Sequence, residues 1–196
     1  MDWTEVLGFA TGALCVLLTV RQHVANFPIG IANNVFFFVL FERVGLYADA
    51  GLQVVYVVLA AHGWWWWLRG GPGRTAAVVT RTPLREGVVL AVVGAVGTAA
   101  LTAFLAATTD SSVPFWDALT TVLSLQATWL LNRKRLENWW VWITADLLYV
   151  VLYAVKDLRL TSVLYAGFLA LCVAGLVQWR RSLVAPVAGQ PVPVAA

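Results

Sequence analysis

One acidic residue, Asp146, lies in the middle of an otherwise apolar segment, residues 139–155. A charge inside a membrane-length apolar segment is costly, so such a residue normally faces a partner or a water-filled cavity. On a helix, four polar or aromatic residues share the face of Asp146, because they follow one another at steps of three or four. They are Asn138, Trp142, Tyr149 and Tyr153. This face predicts a binding site for a flat, partly polar organic molecule.

The composition is that of a membrane protein, since 61% of the 196 residues are hydrophobic and 12% are charged. Acidic residues and no Lys or Arg precede the first apolar segment, so we expect no cleaved signal peptide. A basic stripe interleaved with aromatic residues is missing, which argues against nucleic acid as a partner. Cys15 and Cys172 lie in apolar runs without metal-ligand spacing, so we expect small core residues there, no metal site and no cofactor.

Seven apolar segments are candidates for helices that cross the lipid bilayer. They are about Thr4 to Val20, Phe27 to Phe41, Ala50 to Leu68, Gly87 to Thr109, Ala118 to Asn132, Trp139 to Val155 and Leu160 to Trp179. Several have fewer than the roughly 20 residues that cross a bilayer, so interfacial Trp and long basic side chains must extend them.

Lys and Arg are distributed unequally between the two sides of a seven-helix membrane protein. Ten lie on one side: Arg21, Arg69, Arg74, Arg81, Arg85, Arg133, Lys134, Arg135, Arg180 and Arg181. Three, Arg43, Lys156 and Arg159, lie on the other. By the positive-inside rule we expect the N-terminus outside and the C-terminus in the cytoplasm.

The sequence repeats itself weakly and without a gap, at the constant offset that aligns Arg21 with Arg133. The informative matches involve Asn, Gly, Trp and Arg, because matches of Leu and Val arise by chance in this composition. Besides the Arg21 pair they are Asn26 with Asn138, Gly63 with Gly175, Trp67 with Trp179 and Arg69 with Arg181. The repeat predicts a first three-helix unit (1–69), a loop and linker helix (70–112), a second three-helix unit (113–182) and a disordered tail (183–196).

A single linker helix makes both three-helix units cross the membrane in the same direction, so the repeats are parallel. Transporters built from repeats hold their substrate near the midplane, where the repeats meet, which favours a carrier. At equivalent positions Asn34 corresponds to Asp146, and Gln53 to Tyr165. Two similar three-helix units whose polar residues differ at equivalent positions are suited to bind an asymmetric ligand.

Four segments together closely resemble the PnuC family of bacterial vitamin transporters. They are NFPIGIANN, GLYADAGLQVVYVVLAAHGWWWW, ENWWVWITADLLYV and LTSVLYAGFLALCVAGLVQW. The resemblance covers nearly the whole chain and implies an all-α polytopic protein of the bacterial cytoplasmic membrane. It implies seven transmembrane helices in a three-plus-one-plus-three arrangement similar to the SWEET sugar carriers. One family member is trimeric, so a homotrimer is among the expected assemblies.

The resemblance also implies a function. Family members move nicotinamide riboside, thiamine or riboflavin by facilitated diffusion, and a cytoplasmic kinase then phosphorylates the substrate, which cannot return. The GLYADAGLQVVY and ENWWVWITAD segments are most similar to the nicotinamide riboside branch, which supplies NAD synthesis. Riboflavin or thiamine stays the alternative cargo.

The family places substrate-contacting tryptophans in the segment of Trp139 and Trp142, although Trp also favours the membrane interface. For Asp146 two roles stay open: a counter-charge for a cationic pyridinium, or a structural acid paired with Tyr or Asn. Asp157 and Thr128 depart from residues that are frequent in the family, and the second change bears on substrate selectivity.

Further candidates come from the helix faces and the repeat. We expect Gln53 and Tyr165 to bond a carboxamide or ribose hydroxyls, or else to link helices. Their faces on the third and seventh helices also carry Tyr56 and Thr161, and the repeat favours Asn34 over Asn33 as an inward residue. Thr128 and Gln126 point in different directions on a helix, so one of them, not both, is expected to serve the site.

Other classes of protein fit less well. The seventh segment contains no Lys for a retinal Schiff base. His23 and His62 have no neighbouring acid motif, so we expect no enzyme. There is no nucleotide-binding loop and no second buried acid for a proton relay. A membrane receptor that binds the substrate without moving it stays open.

Overall fold

The computed structural model describes residues 3–43, 45, 47–155 and 159–183. Within them lie seven helices, and no residue there belongs to a strand. The helices are α1 (Trp3–Val20), α2 (Asn26–Arg43), α3 (Tyr47–Arg69), α4 (Leu84–Thr108), α5 (Pro114–Asn132), α6 (Asn138–Val155) and α7 (Arg159–Arg181). The prediction of seven helices is confirmed, and each end lies within four residues of its expected place. Lys156, Asp157 and the predicted disordered tail from residue 184 onward lie outside the described residues.

Two helix starts follow directly from proline chemistry. Pro83 comes immediately before α4 and Pro114 is the first residue of α5. Proline has no backbone N–H and a fixed φ, so it fits the first helical turn, where that N–H would have no partner. These prolines therefore set the start of both helices in the α4–α5 pair.

Helix packing divides the bundle into two groups of three with α4 outside them. Helices adjacent in the chain pack together within α1–α3 and within α5–α7, and α4 packs mainly against α5. Across the bundle α1 contacts α7, and α3 contacts α5. At the offset of the sequence repeat, α1 corresponds to α5 and α3 to α7, so the two cross-contacts are equivalent.

The turns between α1 and α2 and between α5 and α6 have the same backbone geometry. Gln22 has φ 55° and Lys134, its equivalent in the repeat, has φ 51°. The N–H of Gln22 donates to Thr19 O at 2.9 Å, and the N–H of Lys134 donates to Leu131 O at 2.9 Å. A left-handed conformation is uncommon for residues other than glycine, so its occurrence at both positions is an informative match.

Aromatic pairs at equivalent positions fill the same end of both groups. The rings of Phe27 and Trp67 lie 5.0 Å apart at an interplanar angle of 89°. Their counterparts Trp139 and Trp179 lie 5.4 Å apart at 90°. Edge-to-face geometry is favourable for aromatic pairs, and the two contacts anchor α2 to α3 and α6 to α7.

Two indole groups donate hydrogen bonds between the α1–α3 group and the α5–α7 group. The Nε1–H of Trp67 donates to Leu131 O of α5 at 3.1 Å, and that of Trp179 donates to Thr19 O of α1 at 3.0 Å. The two acceptors are again equivalent positions of the repeat. Both carbonyls belong to the last turn of a helix, and each also accepts the backbone N–H of the turn residue Gln22 or Lys134 at 2.9 Å.

The segment between α3 and α4, residues 70–83, lies along the α5–α6 turn. Thr80 and Arg135 form an isolated parallel bridge, in which Thr80 N–H donates to Lys134 O at 3.1 Å and Leu136 N–H donates to Thr80 O at 2.9 Å. Glu137 accepts two hydrogen bonds from Thr82, both of 2.7 Å. The predicted long loop is therefore packed against the second half of the protein.

The outside of the bundle is strongly apolar. On α4, large side chains such as Val92, Val96 and Phe104 are more than half exposed. By length and composition alone, two described helices are apolar enough to cross a membrane, Leu84–Thr108 and Ser162–Arg181.

Candidate functional site

A cavity of about 370 Å³ lies between the two groups of three helices. Six helices line it, and α4 is not among them. Its volume falls within the roughly 300–1,000 Å³ of small-molecule sites. The polar and aromatic part of the lining is Cys15, Thr19, Asn26, Phe27, Asn33, Asn34, Tyr56, Thr128, Asn132, Trp139, Trp142, Asp146, Tyr165, Phe168 and Cys172.

Helix α6 supplies one wall of the cavity. Trp139, Trp142 and Asp146 line it at steps of three and four residues, which places them on one helical face. Asp146 is 5% exposed, and its Oδ2 accepts a hydrogen bond from the Cys172 thiol, with 3.3 Å between the atoms. A thiol is a weak donor and a carboxylate has about four acceptor positions. Asp146 therefore keeps acceptor capacity toward the cavity.

Helix α2 forms the opposing wall with small and amide side chains. Asn34 lines the cavity at the position equivalent to Asp146, and Gly30 lines it at the position equivalent to Trp142. Asn33 also lines it, and its Oδ1 accepts a hydrogen bond from Thr11 at 3.1 Å. One wall therefore carries an indole and a carboxylate where the other carries a glycine and an amide.

Two buried donors at the cavity have no hydrogen-bond acceptor among the described residues. They are Trp139 Nε1 and Asn26 Nδ2, on side chains that are 1% and 6% exposed. An unsatisfied buried donor costs about 1–3 kcal/mol. Both atoms are enclosed by protein, so a ligand oxygen in the cavity does not reach them in this conformation.

Asn132 occupies the place that Gly63 leaves free. The Asn132 Nδ2 donates to Leu59 O of α3 at 2.7 Å, and a Cβ added at Gly63 would overlap its amide oxygen. Asn132 is 1% exposed. It joins α5 to α3 beside the cavity, and its counterpart in the first half is Val20.

The structure places seven of the predicted site residues around the cavity: Asn34, Tyr56, Thr128, Trp139, Trp142, Asp146 and Tyr165. Gln53, which was expected to bond the substrate, is not part of the lining. The side chains of Tyr153 and Thr161 lie outside the described residues.

Two further candidates on α6 lie away from the cavity. The ring of Tyr149 lies 4.6 Å from that of Tyr165, behind the lining. Asn138 is fully buried, and its Nδ2 donates to Arg135 O at 2.6 Å. Trp142 and Asp146, at the centre of the predicted face of α6, therefore line the cavity, whereas Asn138 and Tyr149 pack against the protein instead.

The choice between Thr128 and Gln126 is visible in the geometry. Thr128 lines the cavity and donates to Ser124 O at 2.8 Å. Gln126 points toward α4, where its Nε2 donates to Leu90 O at 2.6 Å. Their different directions agree with the spacing along the helix.

Several lining residues were missed from the sequence. Cys172 and Phe168 share a helical face with Tyr165, so the spacing of three and four residues contained the signal. Asn26, Asn33 and Asn132 could not be assigned, because an Asn near a helix end serves caps, packing and ligands equally well. Cys15 and Cys172 were expected as small core residues, and both line the cavity.

The model of the nicotinamide mononucleotide transporter family matches residues 2–181. The nicotinamide riboside transporter PnuC of Escherichia coli (strain K12) is 27% identical over 207 residues, covering 93% of this chain and 87% of the relative. The riboflavin/roseoflavin transporter RibM of Streptomyces davaonensis is 26% identical over 181 residues, covering 90% of this chain and 84% of the relative.

A solved structure has the same fold. The crystal structure of the vitamin B3 transporter PnuC aligns with a TM-score of 0.68, covering 91% of this chain and 81% of that chain at 24% identity. At this identity the likeness concerns the fold alone.

Proposed function

The chain belongs to the nicotinamide mononucleotide transporter family, and we propose that it carries nicotinamide riboside across the bacterial cytoplasmic membrane by facilitated diffusion. The observation that carries the proposal is the cavity between the two three-helix groups, with a buried carboxylate at its wall. Substrate sites of repeat transporters lie where the repeats meet.

The lining suits a nucleoside with a cationic ring. Nicotinamide riboside joins a pyridinium cation to ribose and carries a carboxamide. Asp146 supplies a negative charge and Trp142 a ring face, which together favour a flat cation. Asn34 and Tyr165 supply hydrogen bonds for hydroxyl and carboxamide groups.

Riboflavin is the second candidate, because one relative is named a riboflavin/roseoflavin transporter. Its isoalloxazine ring is uncharged at neutral pH and gains nothing from a carboxylate. The buried Asp146 therefore favours a cationic cargo. Thiamine is also cationic, so competition between the three vitamins in an uptake assay is needed to rank them.

The transport step is proposed as rocking of α1–α3 against α5–α7 around the cavity, with α4 as the linker. The equivalent cross-contacts of α1 with α7 and of α3 with α5 support two parallel repeats. The hydrogen bonds that the Trp67 and Trp179 indoles donate between the two helix groups also support two parallel repeats. A homotrimer stays a prediction.

The proposal is tested in proteoliposomes that contain the purified protein and no gradient. Labelled nicotinamide riboside should equilibrate and not accumulate, and a nucleoside kinase with ATP inside should trap it as the phosphorylated product. Accumulation above the external concentration without kinase would contradict facilitated diffusion. Saturable binding without flux would favour the receptor alternative.

Orientation is tested with two cysteine substitutions at exposed positions. Arg74 lies in the segment before α4 and Ser112 in the turn after it. With the N-terminus outside, Ser112→Cys should react with an impermeant maleimide on intact cells. Arg74→Cys should react only after the cells are opened, and the reverse pattern would invert the orientation.

A further inference from the structure

Arg133, the residue after α5, lies between two indole rings. Its guanidinium carbon is 4.9 Å from the ring centroid of Trp66 in α3 and 4.7 Å from that of Trp129 in α5. His62 stacks on Trp129 with 6.0 Å between centroids and an angle of 4°. An indole from α3 and one from α5 therefore lie over the same guanidinium.

Within the part of the chain that the structure describes, the guanidinium has no acceptor for its hydrogen bonds. Among the described residues none accepts from the Arg133 side chain, and its Nε is buried without a partner. Its two neighbours have oxygen partners, since Lys134 Nζ donates to Ala77 O at 3.0 Å and Arg135 forms a 2.8 Å ion pair with Glu86, although the Arg135 Nε is also buried without an acceptor. Of the three consecutive cations in this part of the described chain, Arg133 alone lacks an oxygen partner.

The nearby carboxylates are already engaged. Glu86 pairs with Arg135 through Oε2, and its Oε1 accepts from Trp129 Nε1 at 3.3 Å. Glu137 accepts both hydrogen bonds of Thr82. The turn therefore carries three cations against two occupied acids, and its field favours an anion at Arg133.

We propose that Arg133 is a binding site for a phosphate group at the membrane boundary. The indoles lie over the guanidinium and its Nε is buried, which leaves the two terminal Nη groups for a ligand, and these can donate to phosphate oxygens in pairs. Trp65, which is 53% exposed, lies next to Trp66, with 6.2 Å between ring centroids. Exposed Trp is typical of the depth of lipid headgroups, so phospholipid phosphate and free phosphate are the two sources to separate.

The other half of the protein provides a matched control. Arg21 occupies the equivalent position of the repeat but is exposed and has no ring over its guanidinium in the described chain. The positions equivalent to Trp129 and Trp66 are Leu17 and Gln178. Arg21 and Arg133 carry the same charge, but among the described residues only Arg133 has the indole rings of Trp66 and Trp129 over its guanidinium.

The test uses native mass spectrometry of the full-length protein with added phosphatidylglycerol. The wild type should retain bound lipid, and Arg133→Gln should weaken retention about tenfold, while Arg21→Gln should leave it near the wild-type value. Arg133→Lys keeps the charge and loses the planar fork, so an intermediate loss is expected. If Arg133→Gln does not fold, the Arg133→Lys variant tests the proposal in its place.

A second experiment distinguishes binding of a phospholipid phosphate from binding of free phosphate. Glycerol 3-phosphate at millimolar concentration displaces the lipid if the site recognises phosphate alone, and does not displace it if the acyl chains contribute. Equal lipid loss in the Arg21 and Arg133 variants, or wild-type retention in both Arg133 variants, would overturn the proposal.

Discussion

The thiol of Cys172 in α7 donates to the carboxylate of Asp146 in α6, with 3.3 Å between Sγ and Oδ2. Both side chains line the cavity, and both are almost fully buried. The carboxylate has only this weak side-chain donor among the described residues. Its charge is therefore available to a ligand in the cavity.

Asp146→Asn should weaken uptake of nicotinamide riboside by roughly tenfold, because it removes a negative charge from a poorly solvated site. Competition by riboflavin should change much less, since that ring is uncharged. The exposed acid Asp49 provides the control, and Asp49→Asn should behave as the wild type. Equal losses for both vitamins would show that Asp146 is structural.

Trp139→Phe and Trp179→Phe should both lower stability, because each truncates a buried ring of the edge-to-face pair between α6 and α7. Trp179 Nε1 also donates to Thr19 O, whereas Trp139 Nε1 has no partner among the described residues, so Trp179→Phe should lower Tm by a few degrees more. Thermal unfolding of the two variants measures the difference. An equal or larger loss of Tm for Trp139→Phe would contradict a stabilising role of the Trp179 hydrogen bond.

Gly63→Ala and Gly175→Ala should both destabilise the protein, because the same close approach occurs in each half. A Cβ at Gly63 would lie 2.7 Å from the Phe27 ring, and one at Gly175 would lie 2.5 Å from the Trp139 ring. Overpacking of this kind costs about 1–3 kcal/mol. Gly167→Ala meets no atom within 4 Å and should leave Tm unchanged or raise it. A loss of Tm in one half only would contradict equivalent packing.

Gln22→Gly and Lys134→Gly should change stability in opposite directions although the backbone is alike. Glycine relieves the left-handed conformation and should stabilise the first turn by about 0.5–1 kcal/mol. At Lys134 the same relief is outweighed by loss of the bond to Ala77 O and of the contact with Trp67, whose centroid is 4.4 Å from Nζ. Thermal unfolding measures both shifts, and equal shifts would mean that the Lys134 side chain contributes nothing to stability.

Much of the fold could be predicted because each membrane-length helix is specified by residues that are close together in the sequence. Apolar runs and prolines mark them within a few residues, and the repeat alone relates Trp67 to Trp179. The face of Trp142 and Asp146 followed from helical spacing alone. Gln53 and Tyr149 shared promising faces by the same rule but do not line the cavity, because spacing defines a face and not what lies opposite it.

The sequence by itself determined the helices, their repeat and the acid that had to face inward, since each follows from periodicity or from the cost of burying a charge in lipid. Tertiary structure alone decided which side chains meet across helices. It brought Cys172 to Asp146, Asn132 into the space above Gly63, and Arg133 between two indoles of different helices. Apart from the contact of Arg133 with Trp129, four residues earlier, these contacts join residues far apart in the chain, and their geometry depends on how the helices pack together.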